Sequence, residues 1–252
     1  MVRVLLAAIR CAKGDVPGNL AAHLRLLAHA GSAGCDLALF PEMSLTGSAD
    51  PATHPGRLIP VAHPAIAALA RASGTTGVGA CFGIAERAPD GEPYIAQVFA
   101  AGGQVVGVQR KRHLGEGEES FTAATGTEVF EHAGVRFDVA ICAESGFDAP
   151  FDAAAARGAR LILFPAAPGL YERRTSDASW REGFSWWQGT GLADARRHAS
   201  RRGLWIAMAG QAGATADEDF PGLAALVGPD GEVTQRLHDW RAGTLVVDVP
   251  AD

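Results

Sequence analysis

Three residues of this chain could do covalent chemistry together. Glu42 follows the apolar run Leu37-Ala38-Leu39-Phe40 through Pro41. Lys111 follows Val105-Val106-Gly107-Val108 through Gln109-Arg110, and Cys142 directly follows Val139-Ala140-Ile141. Short apolar runs of this kind read as buried strands. A carboxylate, an ammonium and a thiol at the ends of neighbouring strands would form one reaction site. A cysteine nucleophile needs a base, and the oxyanion it generates needs a cation or a pair of donors. Each residue also has a plainer reading. Cysteine is a common core residue, a glutamate after proline suits the start of a helix, and Lys111 stands among the charges Arg110, Arg112 and His113. What favours chemistry is that all three occur together.

The segments carrying them are Leu37-Ala38-Leu39-Phe40-Pro41-Glu42-Met43-Ser44-Leu45-Thr46-Gly47, then Arg110-Lys111-Arg112-His113-Leu114, then Ile141-Cys142-Ala143-Glu144 with Phe147. In order and spacing they resemble the signatures of the nitrilase superfamily, the carbon–nitrogen hydrolases with a Glu-Lys-Cys triad. The resemblance runs through nearly the whole chain, from the opening strand and Asn19 to Gly228-Pro229-Asp230-Gly231-Glu232-Val233, which looks like the family's closing hairpin. It implies one carbon–nitrogen hydrolase domain over residues 1–252.

The resemblance implies a hydrolase of a non-peptide C–N bond, an amidase-like enzyme that releases ammonia from a small linear amide. A free thiol titrates at about 8.5. The Lys111 ammonium would favour the thiolate and Glu42 would take the proton. Lys111 and the backbone N–H of Ala143 would hold the oxyanion. Glu42 would then protonate the departing amine and activate water against the thioester, which needs a carboxyl pKa raised by burial. Neither metal nor cofactor is required. A second glutamate in the family orients the site, and here it is Glu118 or Glu119. Glu144, Ser145, Phe147, Trp186 and Trp187 are the candidates for contact with substrate. Nitrile and N-carbamoyl substrates are alternatives within the same fold; a non-catalytic regulatory or scaffold homologue is the alternative of another class.

Several positions depart from the family's pattern. Phe147 is followed by Asp148-Ala149 rather than Pro-Glu, the Arg-Ala-x-Glu-Asn stretch corresponds to His198-Ala199-Ser200-Arg201-Arg202, and Ser48 replaces the usual tyrosine. None touches the triad, but they leave the branch open.

The elements that must position these residues alternate between strand and helix. Val2 to Ile9, Leu37–Phe40, Gly77–Ala85, Ile95–Ala100, Val105–Gln109, Val135–Cys142, Leu161–Phe164, Leu204–Ala209, Leu223–Val227 and Thr244–Val249 read as strands. Asn19 to Ala30, the segment from Pro64 to Gly74, Phe151–Arg157 and Gly191–Arg202 read as helices. Gly102-Gly103 reads as a hairpin turn. The alternation implies an α/β layered fold, but periodicity does not separate one doubly wound sheet from two stacked sheets. The resemblance implies the latter, a four-layer αββα sandwich of two mixed sheets. Pro168–Gly189 shows no clean period and looks like an insertion of about fifteen residues, in the size range of functional loops. It holds Trp180, Trp186 and Trp187, and reads either as a surface loop or subunit contact, or as a wall of the pocket.

Composition bounds the rest. The chain has 252 residues, 48% hydrophobic content and a net charge of −6. That suffices for a sizeable core and gives no electrostatic case for nucleic acid or an anionic membrane. The apolar run at the start is too short to span a bilayer. Cys11, Cys35, Cys81 and Cys142 form no Cys-x-x-Cys pair, so they are expected to be reduced thiols in a cytoplasmic protein. Gly77-Val78-Gly79-Ala80-Cys81-Phe82-Gly83 is no dinucleotide loop, since it does not open a helix. Arg196, Arg197, Arg201 and Arg202 mark a solvated or subunit-facing helix. The partners expected are a small amide or nitrile and a second copy of the chain, in a homodimer or larger even-numbered assembly.

Overall fold

Successive side chains of a strand point to opposite faces, and the first strand is apolar on both. In β1 (Val2–Ala8), Val2, Val4, Leu6 and Ala8 join one hydrophobic cluster while Leu5 and Ala7 join another. A strand apolar on both faces must be covered on both, and the architecture supplies that cover. The computed structural model describes residues 1–171 and 173–251.

The first half of the chain runs β1, α1 (Val16–Ser32), β2 (Leu37–Leu39), α2 (Pro64–Thr76), β3 (Gly79–Arg87), β4 (Pro93–Ala101) and β5 (Gln104–Arg110). The second runs β6 (Phe130–His132), β7 (Val135–Val139), α3 (Asp148–Ala156), β8 (Leu161–Ala166), α4 (Asp177–Trp187), α5 (Ala193–Arg202), β9 (Trp205–Gly210), β10 (Ala212–Ala214), β11 (Asp219–Pro221), β12 (Ala224–Val227), β13 (Val233–Arg236) and β14 (Gly243–Val249). The first sheet has the order β14-β1-β2-β3-β4-β5 and the second β13-β12-β9-β8-β7-β6; β10 and β11 pair separately. In each sheet three parallel strands, β1-β2-β3 and β7-β8-β9, are flanked by antiparallel ones. Helices α1 and α2 pack on the first sheet, α5 and its neighbour α3 on the second, and β1 faces β9 and β12 across the middle. This is the four-layer αββα sandwich of two mixed sheets that the family resemblance implied.

Local boundaries differ from expectation for identifiable reasons. Helix α2 does not stop at Gly74 but runs to Thr76 and ends at Gly77, whose φ of 73° is left-handed. Gly74 is inside the helix because the β4–β5 turn lies against it. A Cβ there would sit 2.9 Å from the Cα of Gly103. β7 ends at Val139, and Cys142 opens a 3-10 turn, Cys142–Gly146, instead of closing a strand.

The segment expected to lack a period forms α4. Ser176 caps it by accepting from Ser179 N, and Gly183, Phe184 and Trp187 face inward. A π turn, Gln188–Leu192, joins α4 to α5, with helical backbone angles on both sides. The charges of α5 are partnered within the chain. Arg202 reaches Asp148 and Asp152 at 2.9 and 2.7 Å, and Arg197 reaches Asp194 at 2.9 Å. Among the described residues no helix is long and apolar enough to cross a membrane.

Alanine is the better helix former by about 1 kcal/mol, so propensity alone makes Gly74→Ala stabilising. The backbone contact with Gly103 reverses the sign: Gly74→Ala should lower the unfolding free energy by about 1 kcal/mol or more, measured by urea titration. A gain in stability would disprove the close approach.

Candidate active site

The site forms where four strands end. Glu42 follows β2, Lys111 follows β5, Cys142 follows β7 and Ala167 follows β8. Lys111 Nζ donates to Glu42 Oε1 at 2.7 Å and to Glu118 Oε1 at 2.6 Å. Both Lys111 and Glu42 are buried. The other oxygen of Glu42 accepts from Ala167 N at 2.9 Å, and the Cys142 thiol lies close enough for the two groups to shift each other's pKa. The three residues singled out by type and spacing are therefore brought to one place.

Glu118, not Glu119, is the second glutamate there. Its Oε2 accepts from Gly115 N at 2.6 Å, which turns Oε1 toward Lys111. Glu119 is exposed and accepts from Gly117 N.

Neighbouring elements hold Glu42 in place. From α1, Asn19 bonds the backbone of Ala12 and of Leu45. His23 donates from Nδ1 to Asn19 O at 2.7 Å, leaving Nε2 to accept from Ser44 Oγ at 2.9 Å. Ser44 Oγ in turn accepts from Gly83 N at 3.1 Å. Burial pushes the His23 pKa down to about 4, so the ring is neutral, as that network requires. Gly83 has no alternative, since a Cβ there would collide with the backbone N of Met43.

The nucleophile is held on a strained turn. Cys142 has φ of 44°, a left-handed value costly for a residue with a Cβ. Such strain persists only where the surroundings impose it, and Glu144 does so. Its carboxylate accepts from Ile141 N at 2.8 Å, from Arg112 N at 2.6 Å and from the Arg112 guanidinium at 2.9 and 3.0 Å. Arg112 also reaches Asp138 and Val139 O. Glu144 was expected to contact substrate. It is instead a fully buried clamp between the Lys111 loop and the nucleophile turn, with its oxygens already committed. Phe147, expected in the same role, lies away from the cavity, stacked on His113 at 4.2 Å because the turn carries it outward. His198 donates to Ser145 O at 2.7 Å and stacks on Phe151, tying the end of the turn to α3 and α5.

The charges determine the resting state. Burial raises the Glu42 carboxyl pKa, Lys111 opposes that rise, and Glu118 adds to it. Burial and the Glu42 charge raise the Cys142 thiol well above its ordinary value, against the pull of Lys111. Desolvation works against the Lys111 charge, but Glu42, Cys142 and Glu118 together more than offset it and raise its pKa. The site thus rests with a neutral thiol and a protonated lysine beside Glu42, whose carboxyl is more basic than usual. Lys111 alone does not make the thiolate that its proximity suggested; the proton must pass to Glu42 as the sulfur attacks. The N–H groups of Cys142 and Ala143 begin a helical turn and so have no acceptor within it, which leaves Ala143 N–H available to an oxyanion.

The thiol opens into a cavity of about 390 Å³, lined by Ala143, Ser145, Trp186 and Trp187 among others. A larger surface groove of about 790 Å³, along α5 and β13, lies away from this chemistry. Lys13, Asp50, Glu116 and Glu218 also line the cavity and were not anticipated, and Tyr171 joins them from the segment read as a possible pocket wall. They come from loops far apart in sequence, where spacing carries no signal. Helix α4 did leave one: Ser176 as a cap and Trp180, Phe184 and Trp187 at helical intervals.

A model of the carbon–nitrogen hydrolase family matches residues 5–252. The chain belongs to the carbon–nitrogen hydrolase family. Its fold agrees with that of solved relatives. One is a mutant of the amidase from Nesterenkonia sp. AN1 bearing the Michael adduct of acrylamide at its active-site cysteine. It shares 25% identity over 100% of this chain and 94% of that one, with a TM-score of 0.83. The NitN amidase of the same organism matches at 24% identity over 99% and 93% of the two chains, TM-score 0.84. Glutamine-dependent NAD+ synthetase from Acinetobacter baumannii matches at 18% identity over 99% of this chain and 48% of its own, TM-score 0.80. No match to this hydrolase was found among curated proteins. The hydrolase acts on C–N bonds other than peptide bonds.

The two tryptophans of the wall differ. Trp186 is 40% exposed, whereas Trp187 is buried against Phe164 and Gly191. Trp186→Ala should raise KM several-fold with little loss of stability. Trp187→Ala should cost about 3 kcal/mol or more. Steady-state kinetics and urea unfolding of both variants test this; unchanged kinetics in Trp186→Ala would count against the wall.

Proposed function

We propose that this hydrolase is an amidase, releasing ammonia from a small linear amide through a thioester on Cys142. The observation that carries this reading is the convergence of Glu42, Glu118 and the Cys142 thiol around the buried Lys111 ammonium. As the Cys142 sulfur bonds to the amide carbon, Glu42 accepts the thiol proton. The carbonyl oxygen becomes an oxyanion between Lys111 and the N–H of Ala143, donors already in position before the reaction starts. Collapse breaks the C–N bond while Glu42 gives its proton to the nitrogen, and ammonia leaves. Water then attacks the thioester, losing its proton to Glu42, and returns the thiol and a carboxylic acid.

Glu42 alternates between its ionised and protonated forms from step to step, which a carboxyl with a raised pKa can supply. Glu118 keeps Lys111 charged and positioned without itself reaching the thiol proton. It is therefore a positioning residue.

Cys142→Ala should lower ammonia release by about a thousandfold or more while the fold survives, and single replacements of Cys11, Cys35 and Cys81 should leave activity. Ammonia release across aliphatic amides, N-carbamoyl compounds and nitriles is the measurement. Wild-type turnover by Cys142→Ala would sink the mechanism.

The pH profile supplies a second check. The ionised form of Glu42 is the base, so kcat/KM should fall on the acid side at a pH above the ordinary glutamate value of about 4.3. The Glu118 charge helps to raise Glu42. Glu118→Gln should therefore move that acid limb to lower pH while also reducing kcat. A limb that stays fixed, or moves up, would contradict the charge coupling.

A further inference from the structure

The cavity carries more negative charge than its chemistry uses. Among the described residues lining it, Asp50, Glu116 and Glu218 are acids additional to Glu118, and Lys13 is the one base. Lys13 is already neutralised: its Nζ lies 2.8 Å from Glu218 Oε2 and 2.9 Å from Asp217 Oδ1. At the floor, Lys111 lies between Glu42 and Glu118. Neither cation is free to receive a carboxylate from a substrate.

Hydrogen bonds hold the carboxyl pKa of Asp50 below its ordinary value. The Asp50 carboxylate accepts from Ser120 Oγ at 2.7 Å, Ala52 N at 2.9 Å and Thr53 Oγ1 at 2.9 Å. Glu116 accepts from the Tyr171 hydroxyl at 3.2 Å, a donor that carries no charge. Beside these acids stands an aromatic wall. Trp186 and Tyr171 line the same cavity, and both are exposed to it or to solvent. An aromatic face next to carboxylates attracts cations through its quadrupole and repels nothing neutral. A volume of about 390 Å³ has room for an amide with a short chain beyond it.

We propose that the cavity selects primary amides whose far end carries a cation, of the ω-aminoalkanamide class, and rejects those whose far end is a carboxylate, with Glu116 and Glu218 setting this preference. The proposal rests on the amidase reading given above and narrows its substrate. The amide enters with its carbonyl at Cys142 and its ammonium toward the mouth, where Trp186, Glu116 and Glu218 face it. A substrate carboxylate in the same place would lie among acids with no unpaired base, and like charges juxtaposed at a binding surface weaken association strongly.

Three amides of matched length test this: ω-aminopentanamide, hexanamide and the monoamide of glutaric acid. At low ionic strength kcat/KM should fall in that order, the first exceeding the last by about a hundredfold. The gap should narrow with added salt, because partly exposed charges are screened over about 10 Å at 0.1 M. Glu218→Gln releases Lys13 from one of its two carboxylates and should lower the ratio of cationic to anionic turnover by about fivefold or more. Glu116→Gln, on an exposed loop, should lower it in the same sense and serves if Glu218→Gln folds poorly. Turnover of hexanamide with no preference for the cationic amide, or a preference for the glutaric monoamide, overturns the proposal and leaves the amidase reading standing. Absence of ammonia from all three overturns both.

Discussion

A lysine ammonium with no solvent exposure is the constraint on which the rest of the structure depends. Taking such a charge out of water costs several kcal/mol, and only close, well-oriented partners offset it. Lys111 has two, Glu42 from the end of β2 and Glu118 from the loop after β5. Those partners arrive on different segments, so the two loops cannot move independently without exposing an unpaired buried charge. The same pairing has a chemical consequence. Two carboxylates around one ammonium leave the cluster with excess negative charge, which discourages ionisation of the adjacent thiol and makes Glu42 readier to accept a proton. One interaction therefore holds the loops and tunes the acid–base chemistry.

Other buried polar groups divide the remaining work. Arg112, next to Lys111 in sequence, turns the opposite way and meets Glu144, so the Lys111 loop is pinned to the nucleophile turn on one side and to Glu42 on the other. On the far side of Glu42, the relay from Asn19 through His23 and Ser44 to Gly83 fixes its loop to α1 and β3. The left-handed backbone of Cys142 is tolerable because Glu144 grips the Ile141 N–H just before it and His198 the Ser145 carbonyl toward the end of the turn.

The parts legible in the sequence were those carried by short segments. Apolar runs ending in Glu42, Lys111 and Cys142 announced both the strands and the reactive groups at their ends, because a strand's exit point places its next residues. Glu118 and Glu119 could not be told apart that way: they differ only in which one the tight turn at Gly115–Glu118 directs inward, a matter of backbone geometry. Glu144 was misread because its position beside the nucleophile suggested substrate contact, whereas the Arg112 guanidinium that claims it lies distant in sequence. Helix α4 was missed although its cap and inward residues were present, since its many polar and aromatic residues blur the apolar stripe. The acids around the cavity mouth come from separate loops, and only folding makes them neighbours.

The π turn between α4 and α5 gives the pocket wall a separate means of change. Five residues, Gln188–Leu192, form the wider turn that seats Trp187 across Gly191. An α-helix advances about 100° per residue, so losing one residue here would swing α4 by about that angle relative to α5. Trp186 would leave the cavity and another face of α4 would take its place, while Glu42, Lys111 and Cys142, just beyond strand ends of the two sheets, stayed where they are. The lineage of this enzyme thus has a route to a new substrate range by a single-codon deletion that touches none of the reacting groups.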